Sequence, residues 1–197
     1  MPLMSVILAK NWWSLVIRGA VATSLGLFLL IRHEVDIGRL ALAFGGYALV
    51  DGLMGLAGAG RAAEAHERWG PLLIEGIAGV IAGAFSFVWP ALTHISVLYV
   101  IAAWALLTGV SEIAAALRLR RYIEGESLLA LSGIASLLLG MLTVALPWID
   151  FPVVTLWIGI YALVFGVLLI VLGFKLRAWL NGPKARAFQR TAHARPR

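Results

Sequence analysis

Four charged residues lie inside long apolar stretches of the sequence, one in each stretch: Arg18, Asp51, Glu75 and Glu112. Charged side chains are costly to bury in apolar segments, so they usually face the interior of a helix bundle and find partners there. The arginine keeps its proton under ordinary conditions. Full ionisation would leave three carboxylates facing one guanidinium, so the four residues form a candidate charge cluster whose chemistry is proton binding.

Two interpretations of this cluster are open. In the structural interpretation, Arg18 pairs with Glu75 and holds two parts of the chain together. Asp51 is then a protonated, hydrogen-bonding acid or reaches Arg18, and Glu112 meets Arg118 or water. In the functional interpretation, the same groups form a proton-responsive element or relay. Burial and mutual repulsion favour a proton on at least one carboxyl in either case.

The sequence offers little support for other chemistry. The absence of cysteine removes disulfides, thiolate metal sites and cysteine nucleophiles. Ser132 and Ser136 lie one helical turn apart with no histidine nearby to act as a base, so we interpret both as packing residues. The histidines lie far apart, without metal-ligand spacing: His33, His66, His94 and His193. We therefore predict no catalytic residue, no metal and no cofactor, and thus a protein that is not an enzyme.

The elements that position the charge cluster are membrane-spanning helices. The 197 residues are 61% hydrophobic and only 13% charged, whereas a soluble domain is about half apolar and a quarter charged. A helix crosses the hydrocarbon core with roughly 20 mostly apolar residues. Six runs meet that requirement: 12–31, 40–60, 71–91, 95–117, 127–147 and 151–174. Because the runs are continuous rather than alternating, they predict an all-α membrane protein and not a strand barrel.

The basic residues outside these runs indicate the orientation. Nearly all lie on the side of the two termini, and only Arg32 and Arg39 lie on the other side, beside Glu34 and Asp36. The positive-inside rule then places both termini in the cytoplasm of a bacterial cell, with six helices in its inner membrane. The net charge of +6 follows the loops rather than a stripe with exposed aromatics. We therefore exclude nucleic acid as a partner and expect the lipid bilayer.

The segment 178–197 is basic and contains no acidic residue. We predict a disordered cytoplasmic tail that helps to fix the topology. Gly182-Pro183 would interrupt any helix that continues from the last span. The alternative is attraction of the tail to anionic lipid, worth about 1 kcal/mol per basic residue near the surface.

Three similar segments divide the chain into repeats. The segments "YALVDG", "WALLTG" and "YALVFG" follow one another at intervals of 57 residues, and their fifth position is Asp51, Thr108 and Phe165 in turn. We predict three tandem helical hairpins of the same orientation, packed around a pseudo-threefold axis along the membrane normal. The repeats cover about 11–67, 68–124 and 125–177, within a single domain of residues 1–177.

Glycines recur in the same register. Small residues allow helices in lipid to approach closely, and each repeat has two such glycines on its first helix and one on its second. They are Gly19, Gly26, Gly52, Gly76, Gly83, Gly109, Gly133, Gly140 and Gly166. We interpret them as helix-packing residues, because a phosphate-binding loop needs a strand–loop–helix setting. Tyr47, Trp104 and Tyr161 also recur at matched depth and are interpreted as packing aromatics.

Several short patterns are together similar to one known family. They are "NWW…RG", "RW…EG…G…AG…WP", "AAWA…TG…EI.AA.RLRR.I.GE" and "YA.VFG", and the most specific part covers 102–126. Over residues 11 to about 177 the chain resembles the HdeD-type membrane proteins, which are linked to acid resistance in enteric bacteria. The resemblance implies a six-helix inner-membrane protein of the stress response, without catalytic residues to carry over. The chain departs from the pattern at His33, where the later repeats have Pro90 and Pro147.

Two functions are compatible with these observations. One is a non-enzymatic membrane protein that supports acid tolerance through interactions or by stabilising the membrane. The other is a small transporter or channel with a proton-responsive cluster and a polar path through the bundle. Two features favour the first function, since the third repeat offers no charge inside its helices and the outer half of every helix is apolar. The polar side chains available there are Ser86, Thr93, Ser96, Thr143 and Thr155.

Overall fold

The fold consists of long helices that run back and forth through the bundle. A computed structural model describes residues 12–32, 35–64, 69–88, 94–119, 126–145 and 150–180. Within them lie α1 (Trp12–Ile31), α2 (Ile37–Glu64), α3 (Gly70–Val88), α4 (His94–Leu119), α5 (Glu126–Ala145) and α6 (Phe151–Leu180). All six helices are long and apolar enough to cross a membrane. The predicted all-α fold with six spans is confirmed.

The limits of the helices differ from the predicted runs in two informative places. α2 continues past residue 60 to Glu64, and α6 continues past residue 174 to Leu180. The last helix therefore includes 178–180, which the sequence had assigned to the tail. The reason is packing, because Trp179 and Leu180 lie against a small apolar cluster that contains Leu172 and Leu176. The remainder of the predicted tail, with Gly182-Pro183, lies outside the described residues.

The outer surface of the bundle is apolar. Ile31 and Val88 are 71% and 74% exposed, and large aliphatic and aromatic side chains are exposed along the length of all six helices. A contiguous apolar surface of this extent is not stable in water and marks contact with lipid. Every helix satisfies its own backbone hydrogen bonds, as a spanning segment must. The chain is thus a multi-pass membrane protein.

The helices close into a ring. The most extensive interfaces join α2 with α3, α4 with α5, and α6 with α1. In each of these three seams the second helix of one repeat packs on the first helix of the next, and the α6–α1 seam completes the circle. The same contact thus occurs three times, as a pseudo-threefold axis requires. The closest packing lies between successive repeats rather than inside each hairpin.

Glycine pairs explain why the seams are so close. A Cβ atom added to Gly52, Gly109 or Gly166 would lie 2.6–2.7 Å from the carbonyl oxygen of the partner glycine, which is closer than real Cβ contacts. The pairs are Gly52 with Gly76, Gly109 with Gly133, and Gly166 with Gly19. Two turns further along the first helices, a Cβ on Gly26, Gly83 or Gly140 would be equally crowded, at 2.5–2.6 Å from atoms of the facing helix. Every glycine of the predicted set therefore lies in a seam.

The two ends of the bundle differ in charge. We call one end the basic end, where α1, α3 and α5 begin and α2, α4 and α6 finish, because Arg61, Lys175 and Arg177 lie there. In each repeat the second helix is more deeply buried than the first, so α2, α4 and α6 line the axis. Their buried residues form most of one core cluster that runs along this axis.

Candidate functional site

Arg18 is held between two acids from neighbouring helices. Its Nε donates to Asp51 Oδ1 at 2.5 Å, and its Nη2 donates to Glu75 Oε1 at 3.0 Å. The side chain of Arg18 is 11% exposed, that of Asp51 is 0% exposed and that of Glu75 is 8% exposed. The two ion pairs tie α1 to both α2 and α3. Arg18 therefore links the first repeat to the second near the axis of the bundle.

The repeat register explains how these side chains meet. Arg18 and Glu75 are 57 residues apart and occupy equivalent positions on α1 and α3. Arg18 lies in the second turn of α1, roughly 10 Å along the helix from Trp12 at about 1.5 Å per residue. The third equivalent position is Ser132 on α5, which is fully buried. The first helices thus present an arginine, a glutamate and a serine at one depth.

The second helices present three different residues at a nearby depth. Asp51, Thr108 and Phe165 are 0–1% exposed, so this register position faces the interior in every repeat. Asp51 lies beside Arg18. Phe165 lies on α6, which packs against α1, the helix that carries Arg18. Threefold packing therefore brings unlike side chains together, and the only arginine among them contacts acids of the α2–α3 seam.

Hydroxyl groups surround the ion pairs. Tyr47 O–H donates to Asp51 Oδ1 at 3.4 Å from one turn earlier on α2. On the other side of the axis, Tyr161 OH and Ser136 Oγ are 2.7 Å apart. Both tyrosines were interpreted from the sequence as packing aromatics, and the structure adds a polar contact for each. The spacing of four residues between Tyr47 and Asp51 was the available signal, since such residues are neighbours on a helix.

Glu112 completes the group from α4. It is 6% exposed, and its carboxyl faces the hydroxyl of Ser132 on α5. Arg18, Asp51 and Glu75 are near enough to interact with it electrostatically. The predicted contact of Glu112 with Arg118 or water stays a prediction, because the Arg118 side chain lies outside the described part of the chain. We use the name charge cluster for Arg18, Asp51, Glu75 and Glu112.

Several buried polar atoms near the charge cluster have unused hydrogen-bonding capacity. Among the described residues, Asp51 Oδ2, Thr108 Oγ1 and Glu112 Oε2 are fully buried and lack a hydrogen-bond partner. Native proteins rarely leave such atoms unsatisfied without a bound water, a proton or a functional reason. The described residues contain no group of His, Asp and Glu side chains arranged to hold a metal ion. The unused capacity therefore suits water or a proton.

An apolar layer lies on the side of the charge cluster away from the basic end. Tyr47 and Phe44 both make edge-to-face contacts with Trp104, at 5.2 Å and 5.7 Å between ring centroids. Next to them is a cavity of about 20 Å³ with an apolar lining that includes Leu25, Ile101, Leu139 and Ile158. A cavity of this size holds about one water. The layer separates the charge cluster from the far end of the bundle.

Three of the polar side chains beyond this layer are occupied locally. Ser86, Thr143 and Thr155 each donate to a carbonyl oxygen one turn earlier in their own helix, at 2.8–2.9 Å. Such back-bonding satisfies the hydroxyl within the helix. Thr93 lies outside the described residues. The three hydroxyls therefore do not extend the polar region of the charge cluster toward the far end.

A family described as a short repeat of unknown function (DUF308) matches three parts of the chain, residues 17–84, 74–145 and 131–188. Together these parts cover most of the sequence. The chain belongs to the DUF308 family. The three matches of the DUF308 repeat begin at residues 17, 74 and 131, which is the same 57-residue spacing. The internal repeat predicted from the sequence is thereby confirmed.

The DUF308 matches also follow the seams. The first match includes α2 and most of α3, and the second includes both α4 and α5. Each of these matches thus contains the glycine pair of one seam. The third seam joins α6 to α1 at the opposite ends of the chain. No curated protein and no solved structure matches this DUF308 chain.

Proposed function

We propose that this DUF308 protein is of the HdeD type, a non-catalytic protein of the bacterial inner membrane that supports tolerance of acid. The observation that carries the proposal is the charge cluster, in which three carboxyls are buried and two of them, Asp51 and Glu75, share one guanidinium. Charged groups inside a membrane bundle are costly and usually functional. Carboxyl groups are also the side chains whose charge acid removes. DUF308 repeats occur in HdeD-type proteins, which agrees with the resemblance of the sequence motifs.

Acid would act on the links that Arg18 makes to the neighbouring helices. Arg18 ties α1 to α2 and α3 only while Asp51 and Glu75 accept its N–H groups as carboxylates. Protonation of a carboxylate removes its Coulomb attraction to the guanidinium. A proton on Asp51 or Glu75 would therefore weaken one of the two links. In this way the charge cluster couples proton uptake to the packing of the first repeat against the second.

The surroundings of the charge cluster favour a non-catalytic role. Ser132 Oγ donates to Leu129 O, and Ser136 Oγ donates to Ser132 O, both at 2.9 Å. Hydroxyls held by the backbone in this way are packing groups rather than activated nucleophiles. The apolar layer beyond the aromatic contacts argues equally against a continuous polar path. A proton-binding membrane protein without a continuous polar path fits both observations.

The basic end supports an orientation with that end in the cytoplasm. Arg177 lies over the ring of Trp12 at 4.6 Å, and Arg61 lies over the ring of Trp13 at 5.5 Å. Tryptophan and arginine together are typical of the membrane–water interface, and basic residues concentrate on the cytoplasmic side. Anionic headgroups of the inner leaflet are the lipid partners that such an end would attract.

Cysteine labelling tests this orientation cleanly because the chain has no cysteine of its own. Glu64→Cys at the end of α2 should be protected from a membrane-impermeant thiol reagent in intact cells. Asp36→Cys, just before α2, should react. Both positions are exposed, so burial in the protein cannot account for a difference. Reaction of the Glu64→Cys variant from outside would reverse the orientation.

Survival in acid tests the function itself. Cells of an acid-sensitive bacterial strain that produce this chain should survive an acid challenge better than cells with an empty vector. Purified protein in liposomes should, in parallel, show no proton flux above protein-free liposomes when a pH-sensitive dye is trapped inside. Equal survival of the two strains would overturn the acid-tolerance role. Proton or cation flux that depends on the protein would instead establish the transporter or channel.

A further inference from the structure

The two helices of the α6–α1 seam carry basic residues and no acid. Arg18 lies on α1, and Lys175 and Arg177 lie near the end of α6, whereas neither helix contains an aspartate or a glutamate. Arg18 contacts its acids inside the bundle, but the side chains of Lys175 and Arg177 are exposed at the basic end. The described acids where helices begin or finish at this end, Glu64 and Glu126, lie on α2 and α5. The α6–α1 seam therefore presents positive charge at the basic end.

Arg177 is positioned by an aromatic contact across this seam. Its guanidinium lies over the ring of Trp12, 4.6 Å from the ring centroid, and the rings of Trp12 and Phe174 are 6.2 Å apart. Trp12 is half-buried against the small apolar cluster that contains Leu172 and Leu176, which holds the ring in place. Stacking uses the face of a guanidinium and leaves the N–H groups in its plane available to an acceptor. Such a fork of N–H groups matches the oxygens of a phosphate.

An exposed apolar row on α6 leads up to Arg177. Val167, Val171 and Phe174 are 46%, 41% and 50% exposed, and their spacing of four and three residues places them on one face of the helix. In a membrane such a face contacts acyl chains. A guanidinium at the end of this row matches a phospholipid, because the phosphate of a phospholipid lies at the boundary between the acyl chains and water.

The other two seams lack this combination of residues in the repeat register. In the α2–α3 seam, the position equivalent to Arg177 is an alanine, Ala63. In the α4–α5 seam, the position equivalent to Trp12 is an acid, Glu126. An arginine matched with a tryptophan at these two positions is therefore particular to the α6–α1 seam. This asymmetry indicates a specific site rather than a general property of the basic end.

The α6–α1 seam also differs in how its helices are connected. Residues 65–69 join α2 to α3, and residues 120–125 join α4 to α5. Four other helices separate α1 from α6 along the chain, so the α6–α1 seam depends on packing contacts without a short connection. A ligand that contacts both helices in the closed ring would stabilise the closed ring by mass action.

We propose that the basic end of the α6–α1 seam is a binding site for a phospholipid with an anionic headgroup. The phosphate accepts hydrogen bonds from Arg177 beside Trp12, and an acyl chain lies along the exposed apolar row of α6. Because the lipid contacts both helices, it holds the ring closed at the seam that has no short connection. The inference rests on the proposed function only for the inner-membrane location, and it narrows the attraction of the basic end for headgroups to one site.

Thermal unfolding of the full chain in a neutral detergent tests this site. Phosphatidylglycerol should raise the melting temperature by about 2–4 °C, and phosphatidylcholine with the same acyl chains should not. Arg177→Gln should lose this shift and weaken phosphatidylglycerol binding by about tenfold, because a charged contact with the phosphate is removed. The shift on adding lipid is compared within each variant, so a change in starting stability does not affect the result. A full shift in Arg177→Gln would overturn the proposal.

Arg61→Gln is the matched control. It removes the same charge at the same end of the bundle, where Arg61 lies over the ring of Trp13 at 5.5 Å. Arg61 lies on α2, outside the α6–α1 seam, so this variant should keep the wild-type shift with phosphatidylglycerol. Equal losses in Arg61→Gln and Arg177→Gln would replace the site with a general attraction of the basic end for anions.

The headgroup and the acyl chains are separated by changing the ligand. Glycerol phosphate at the same concentration should leave the melting temperature unchanged, because it has no chain to contact α6. An equal shift with glycerol phosphate would indicate a site for free phosphate esters. An equal shift with phosphatidylcholine would indicate binding through acyl chains alone. Either result would contradict the proposal.

Hydrogen exchange of the same samples locates the bound lipid. Phosphatidylglycerol should slow the exchange of backbone amides at the start of α1 and the end of α6, and leave the equivalent start of α3 unchanged. Equal slowing in all six helices would overturn the site. Acid survival is not measured in these experiments. Loss of the lipid effect would therefore leave the acid-tolerance role standing, and failure of the survival test would leave the lipid site standing.

Discussion

The three seams and the charge cluster are both built on the 57-residue repeat, but they differ in how they use it. Each seam has a pair of glycines in direct contact, and the pairs are equivalent from one repeat to the next. In the charge cluster the equivalent positions carry arginine, glutamate and serine on the first helices. On the second helices they carry aspartate, threonine and phenylalanine. The repeat supplies the same scaffold three times and places a different chemistry on each copy.

This difference indicates where the chain is specialised. A seam requires close approach of two helices, and only glycine allows it at the crossing point. The interior positions need to fill a buried volume, and their polarity can vary where a polar side chain finds a partner. In the first and second repeats, these positions place one cation near three acids. We therefore expect changes in the seams to affect folding alike, and changes in the charge cluster to have unequal effects.

The largest expected effect is that of removing the shared cation. Arg18→Leu leaves Asp51 and Glu75 buried without compensation, and breaking a buried pair in this way costs about 3–5 kcal/mol of stability. Adding Asp51→Asn and Glu75→Gln to the same chain should recover most of the loss, because no buried charge then remains in the ion pairs. The free energy of unfolding in detergent measures both. A triple variant no more stable than Arg18→Leu would show that the residues are not coupled.

The next effect concerns the seams. Gly52→Ala, Gly109→Ala and Gly166→Ala should each destabilise the protein by about 1–3 kcal/mol, because the new methyl group meets the backbone of the facing helix. Similar losses at the three positions are expected, since the seams are equivalent. Gly46→Ala is the matched control, as nothing lies within 4 Å of its added Cβ. Loss at Gly46 as large as in the seams would show that the effect is not one of packing.

The smallest effect should come from the tyrosines beside the charge cluster. Tyr161→Phe removes a contact of 2.7 Å with Ser136 and should cost about 1 kcal/mol. Tyr47→Phe removes a longer contact of 3.4 Å with Asp51 and should cost less. Thermal unfolding of the two variants in one detergent gives the comparison. A larger loss for Tyr47→Phe would mean that its hydroxyl is needed to hold Asp51 beside Arg18.

The fold was accessible from the sequence because its signals are strong and repeated. Six apolar runs and three copies of one register give the number of helices and the threefold arrangement. The 57-residue offset even places Arg18 and Glu75 at one depth. The sequence did not predict which helices pack most closely. The glycines recur on both helices of each repeat, so their register alone does not show that each pair bridges successive repeats.

The contacts within the charge cluster were harder to predict from the sequence, for a related reason. Position along a helix gives the depth of a side chain, but not the partner that it selects among several at the same depth. The sequence left open whether Asp51 reaches Arg18 and whether Glu112 meets Arg118. The structure places Asp51 against Arg18, whereas the contact of Glu112 with Arg118 stays a prediction, because the Arg118 side chain lies outside the described residues. The polar contacts of Tyr47 and Ser136 were missed because Tyr47 was interpreted as a packing aromatic and Ser136 as a packing residue.

Acid survival of a variant without the two ion pairs, which we call the neutral variant, tests the central claim most directly. That claim is that the charge cluster and not the scaffold carries the function. The variant combines Arg18→Leu, Asp51→Asn and Glu75→Gln, and its control combines Asp36→Asn with Arg39→Gln, an exposed ion pair at 3.2 Å. Both should reach the membrane in wild-type amounts. The account predicts that the control protects cells from acid as wild type does, while the neutral variant protects no better than an empty vector. Full protection by the neutral variant would contradict it.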